Sequence, residues 1–113
     1  MQYKISGKVI KGDGYGRKIG FPTANLEFKE NRDSDFPTDG VYAGVGILDS
    51  KIYKAGIVIG PNEKIEVHLI GYSGDIYGKK VTIEINKFLR EYKHFDTEKE
   101  LIEQIKKDIE LCK

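Results

Sequence analysis

Apolar and polar residues alternate with a period of two along most of this chain. That is the pattern of strands with one face buried and the other turned to water. In KIEVHLI, residues 64–70, Ile65, Val67 and Leu69 share one side. In KKVTIEINKFL, residues 79–89, Val81, Ile83 and Ile85 do the same. GVYAGVGIL, residues 40–48, puts Val41, Ala43, Val45 and Ile47 on one face, and Tyr42, two glycines and Leu48 on the other. A turn at Asp49-Ser50 leads into IYKAGIVIG, residues 52–60. YKISGKVI, residues 3–10, is β-prone, and TANLEF, residues 23–28, makes a short strand after Pro22. The connections NRDSDFPTDG (31–40), GPNE (60–63) and YSGDIYG (72–78) carry turn residues. Five or six strands joined this way predict a closed or nearly closed barrel, which leaves no exposed sheet edge.

The tail changes period. In DTEKELIEQIKKDIELC, residues 96–112, Leu101, Ile102, Ile105, Ile109 and Cys112 fall at helical spacing. Thr97 followed by Glu100 forms a capping box at its start. The spacing predicts a helix packed on the outside of the barrel.

Composition narrows the field. The 113 residues predict one domain with one modest core. Nineteen Lys and Arg against eighteen Asp and Glu leave a net charge of +1, so no overall field draws the chain to nucleic acid or anionic lipid. Seven Tyr and five Phe suit a single-strand-binding barrel, but the balanced charge speaks against one. A lone cysteine, Cys112, makes no internal disulfide and has no metal-ligand cluster beside it. No signal peptide or membrane-spanning run is visible. The expectation is a cytoplasmic protein starting at its own Met1.

Three stretches carry candidate chemistry. Gly12, Gly14 and Gly16, followed by Arg17 and Lys18, read either as a flexible hairpin or as a loop aiming N–H groups and positive charge at phosphate. In FPTAN, Pro22 fixes the approach to Thr23, and Thr23 and Asn25 share a face of an extended stretch. Their side-chain oxygens suit a hard cation such as Mg²⁺, or else satisfy turn backbone groups. Glu66 and His68 share the face opposite Ile65, Val67 and Leu69. A carboxylate there reads as a base for a substrate hydroxyl or as a solvated strand residue. A histidine there reads more readily as packed or hydrogen-bonded than as catalytic.

The ordered set GDGYGRKIGFPTANL, DGVYAG, IEVHLIGYSGDIYGKKV and FLREYKHFDTEKELIEQIKKDI resembles riboflavin kinase (flavokinase) of the ATP-using type. The resemblance runs from about Gly7 to Ile109, and GFPTANL is its most specific part. It implies a mainly β fold, a six-stranded antiparallel Greek-key barrel with a C-terminal helix outside. It implies conversion of ATP and riboflavin to ADP and FMN, with Mg²⁺ or a similar cation. By the same resemblance Glu66 is the base for the ribityl 5′-hydroxyl. Gly12, Gly14, Gly16, Arg17, Lys18, Thr23 and Asn25 hold the nucleotide, with Thr23 and Asn25 on the metal. Arg90 and nearby residues up to Phe95 belong to a mobile loop over the flavin, with Arg90 and Phe95 as its flavin-binding residues. The family further implies a monomer that acts on small molecules, with no nucleic acid or membrane partner.

One departure stands out. Relatives often carry a longer stretch, with a Pro-Thr pair, between the glycine at position 60 and the catalytic glutamate, where this chain has only GPNEKIE. The alternative is therefore a barrel that binds flavin or nucleotide without catalysis. The chain also begins close to its first strand, so the expectation is a protein that stops at FMN.

Overall fold

The computed structural model describes residues 3–10, 24–27, 37–60, 65–72, 76–93 and 95–113. Among them are six strands: β1 (Tyr3–Ile10), β2 (Ala24–Glu27), β3 (Gly40–Leu48), β4 (Lys51–Ile59), β5 (Ile65–Leu69) and β6 (Lys80–Arg90). They close into a barrel in the order β1-β2-β5-β4-β3-β6, with every neighbouring pair antiparallel. β3, β4 and β5 follow one another, and β6 returns beside β3, which is a Greek key.

The β3–β4 hairpin shows how local chemistry sets register. Asp49 and Ser50 both take positive φ, 51° and 66°, as a two-residue type I′ turn requires. Leu48 then pairs with Lys51, and the ladder runs without a slip to Gly40 opposite Ile59.

The interior follows the alternation. Ile5, Val9, Leu26, Ile57, Ile65, Val67, Val81, Ile83 and Ile85 belong to one buried cluster. In β3 the inward face is the one with Tyr42, Gly44, Gly46 and Leu48, not the valine face. The reason is room: a Cβ on Gly46 would overlap Leu69 of β5, and one on Gly44 would overlap the carbonyl oxygen of Glu84. Tyr42 fills the core near the start of β3, and its hydroxyl donates to the carbonyl of Thr38 at 2.6 Å. The barrel thus takes one large ring and two bare glycines on the same side of one strand.

The helix α1 (Glu98–Cys112) starts where its capping residues predict. Thr97 is extended, and its hydroxyl accepts from the Glu100 amide at 3.2 Å. α1 packs outside the barrel against β3 and β4. At its end the Cys112 sulfur lies 3.6 Å from where a Cβ on Gly56 would stand, which is ordinary contact distance and places the helix end over β4.

Candidate active site

β2 and β5 pair with Ala24 opposite Val67 and Asn25 opposite Glu66. On β5, Ile65, Val67 and Leu69 point into the core, which turns Glu66 and His68 outward. On β2, Leu26 points inward, which turns Asn25 outward. Asn25 and Glu66 are therefore direct cross-strand neighbours on the outer wall, a relation that brings Cβ atoms to about 4.5–5.5 Å. Both are half-buried. On its other side Glu66 faces Val58 of β4. An amide, a carboxylate and an apolar side chain thus follow one another across three rigid strands.

That row continues. Val58 pairs with Val41, and Val41 with Arg90 at the end of β6. Glu66 and Arg90 are three strand spacings apart on one ladder row, roughly 14 Å around the wall at ~4.8 Å per strand. Arg90 follows a register shift between Val41 and Tyr42, a bulge that re-aims the strand end.

Arg90 is held from three directions. Its Nε and Nη2 donate to the Asp108 carboxylate of α1 at 3.1 and 2.9 Å, and its Nη1 donates to the Glu91 carbonyl at 3.1 Å. Its guanidinium carbon lies 5.6 Å from the centre of the Phe95 ring. The Lys93 ammonium approaches the same ring at 5.4 Å. Two cations on one aromatic ring leave a positive, partly aromatic surface between β6 and α1.

The structure brings together Asn25 with Glu66, and Arg90 with Phe95, and sets Glu66 and Arg90 on one row. Gly12, Gly14, Gly16, Arg17, Lys18 and Thr23 lie outside the described residues, as does most of the short segment before Glu66. Ile10, the last residue of β1, pairs with Asn25. Lys93 falls within the stretch expected over the flavin but is not singled out by the sequence, and Asp108 is not anticipated at all. Lys93 stands three residues after Arg90 and two before Phe95, a spacing visible in the sequence. Asp108 falls on the buried stripe of Leu101, Ile105 and Cys112, at i, i+4, i+7 and i+11. A carboxylate there signals a charged partner beneath the helix.

Among the described residues no cluster of three or more His, Cys, Asp or Glu forms a metal cage. Among the described residues, Asn25 is the side-chain amide oxygen paired across the ladder with Glu66, and a cation that keeps waters and substrate phosphates in its shell needs few such protein donors.

Comparison with known proteins is decisive at this point. A family model described as riboflavin kinase matches residues 1–113. The chain belongs to the riboflavin kinase family. Its relatives include the bifunctional riboflavin kinase/FMN adenylyltransferase of Bacillus subtilis, 39% identical over 94% of this chain and 36% of that protein. The Escherichia coli K12 protein of the same description is 34% identical over 94% of this chain and 36% of its own length. The chain therefore spans little more than a third of these curated relatives. A solved structure described as a macrolide-efflux protein from Streptococcus pneumoniae superposes with a TM-score of 0.89 at 31% identity, over 96% of this chain and 38% of that one. Trypanosoma brucei riboflavin kinase superposes with a TM-score of 0.74 over 98% of this chain and 74% of its own. At 23% identity that second likeness speaks to the fold. Among the described residues no helix is long and apolar enough to cross a membrane.

Proposed function

We propose that this chain transfers the γ-phosphoryl group of ATP to the ribityl 5′-hydroxyl of riboflavin, giving FMN and ADP. The observation that carries the reading is the pairing of Asn25 with Glu66 in a chain that matches the riboflavin kinase family along its whole length. Glu66 accepts the hydroxyl proton as the oxygen attacks phosphorus, and the bond to the ADP oxygen breaks. A modest base suffices, because a loose transition state needs little proton removal before bond formation. The rigid strand under Glu66 holds the hydroxyl in line, and alignment lowers the barrier alongside the base.

Asn25, with Thr23, would hold Mg²⁺ through side-chain oxygens, and the cation would supply charge neutralisation on the phosphates. Gly12, Gly14, Gly16, Arg17 and Lys18 enclose the nucleotide phosphates. Arg90 and Phe95, joined by Lys93, hold the flavin ring. A flavin carries its ring at one end and its reacting hydroxyl at the other, which suits two groups separated along the row from Glu66 to Arg90. The 113 residues act as one domain, as a cytoplasmic monomer on small molecules, without nucleic acid.

The test is incubation of the protein with riboflavin, ATP and Mg²⁺, followed by chromatographic separation of the flavins. FMN that depends on both ATP and metal is the expected result. Folded protein that binds flavin and forms no FMN overturns the reading.

A further inference from the structure

Asp108 is a poor choice for its place in α1. Aspartate is a weak helix former, and a negative charge near a helix C-terminus opposes the macrodipole. Asp108 sits four residues before the last residue of Glu98–Cys112, and it is the buried charged residue of the described chain. Its hydrogen bonds serve one purpose. Oδ1 accepts from Arg90 Nε at 3.1 Å and from Gln104 Nε2 at 3.0 Å, and Oδ2 accepts from Arg90 Nη2 at 2.9 Å. Gln104, one turn earlier, fixes the carboxylate, and the carboxylate fixes the guanidinium.

The clamp occupies one edge of Arg90. Of its five N–H groups, those on Nε and one on Nη2 go to Asp108, and one on Nη1 goes to the Glu91 carbonyl. Among the described residues, one N–H on each terminal nitrogen has no partner. The guanidinium is thus orientated and charged, lies beside the Phe95 ring, and keeps donors for an incoming oxygen. The Arg90 side chain is 23% exposed, so those donors can be reached from outside.

We propose that Asp108, steadied by Gln104, is a positioning residue for the flavin: it presets the plane of Arg90 so that the remaining donors meet the ring carbonyls of riboflavin without reordering. The proposal rests on the riboflavin kinase reading. Preset planar donors lose less freedom on binding, so removing the clamp weakens riboflavin binding and leaves nucleotide binding, at the far end of the row, as it was.

The experiment compares wild type with Asp108→Asn and Gln104→Ala by steady-state kinetics, with each substrate varied, well below each variant's melting temperature. Asp108→Asn keeps the shape and loses the charge. Gln104→Ala puts the best helix former at a half-buried position, so a folded variant is available even where Asp108→Asn is not. The expected result for Asp108→Asn is a rise in riboflavin KM of about tenfold with ATP KM unchanged, and for Gln104→Ala a smaller rise of the same kind. In an Arg90→Ala background, Asp108→Asn then adds nothing to riboflavin KM, whereas an effect of Asp108 that bypasses Arg90 stays additive. An unchanged riboflavin KM in the folded variants, or equal rises for both substrates, overturns the proposal. Absence of FMN from wild type itself overturns the activity instead, so the two failures are distinct.

Discussion

Asn25 and Glu66 stand opposite each other across β2 and β5, side chains outward on the barrel wall. A rigid strand pair holds an amide and a carboxylate closer to a fixed geometry than a loop does. Glu66→Gln keeps size and hydrogen bonding and removes the proposed base. The expected outcome is an unchanged melting temperature and turnover lower by about 10²–10⁴-fold. Turnover at the wild-type level removes Glu66 from the base role.

Asn25→Ala deletes an oxygen donor next to that carboxylate. We expect the Mg²⁺ concentration for half-maximal activity to rise about tenfold, equivalent to ~1.4 kcal/mol, with riboflavin KM little changed. Titration of activity against Mg²⁺ at fixed ATP checks this. An unshifted metal curve assigns Asn25 to the wall and not to the cation.

The strands were legible in the sequence because alternation is local, and the helix because its stripe and its Thr97 cap are local. Three things were not. The inward face of β3 carries Tyr42, Gly44, Gly46 and Leu48, because the space over Gly46 belongs to Leu69 of another strand. No pattern within residues 40–48 announces that. Likewise, Asn25 and Glu66 each stand out by residue type, but their pairing spans β2 to β5 and belongs to the barrel's closure. The clamp of Asp108 on Arg90 is non-local in the same sense: it needs α1 laid over β3 and β4 before the carboxylate meets the end of β6.

The same close approach gives a stability test. Gly46→Ala pushes a methyl group into the Leu69 side chain, a flexible neighbour, and overpacking of this kind costs about 1–3 kcal/mol. Gly44→Ala meets the Glu84 carbonyl oxygen, part of a paired strand that has less freedom to yield. We expect denaturant unfolding to rank wild type above Gly46→Ala and Gly46→Ala above Gly44→Ala. Leu69→Val in the Gly46→Ala protein returns part of the loss. A reversed order locates the rigid contact at Leu69.

Cys112 gives a prediction in the alkaline range. Its thiol is buried beside Gly56, and its pKa is raised from 9.0, first by desolvation and then by the charge of Asp108. A raised thiol pKa means the folded protein holds this proton more tightly than the unfolded chain does. The resulting stability is fully present below the unfolded value near 9.0 and is lost as pH rises through the folded one. The comparison is with Cys112→Ala, which isolates the contribution of the thiol. We expect stability to fall more steeply with pH in the wild type than in the variant above about pH 9. A thiol reagent labels the native protein slowly and the unfolded chain fast, since the thiolate is the reactive form. Parallel pH profiles for the two proteins, with fast labelling of the native state, place the thiol in solvent and contradict the seat of α1 on β4.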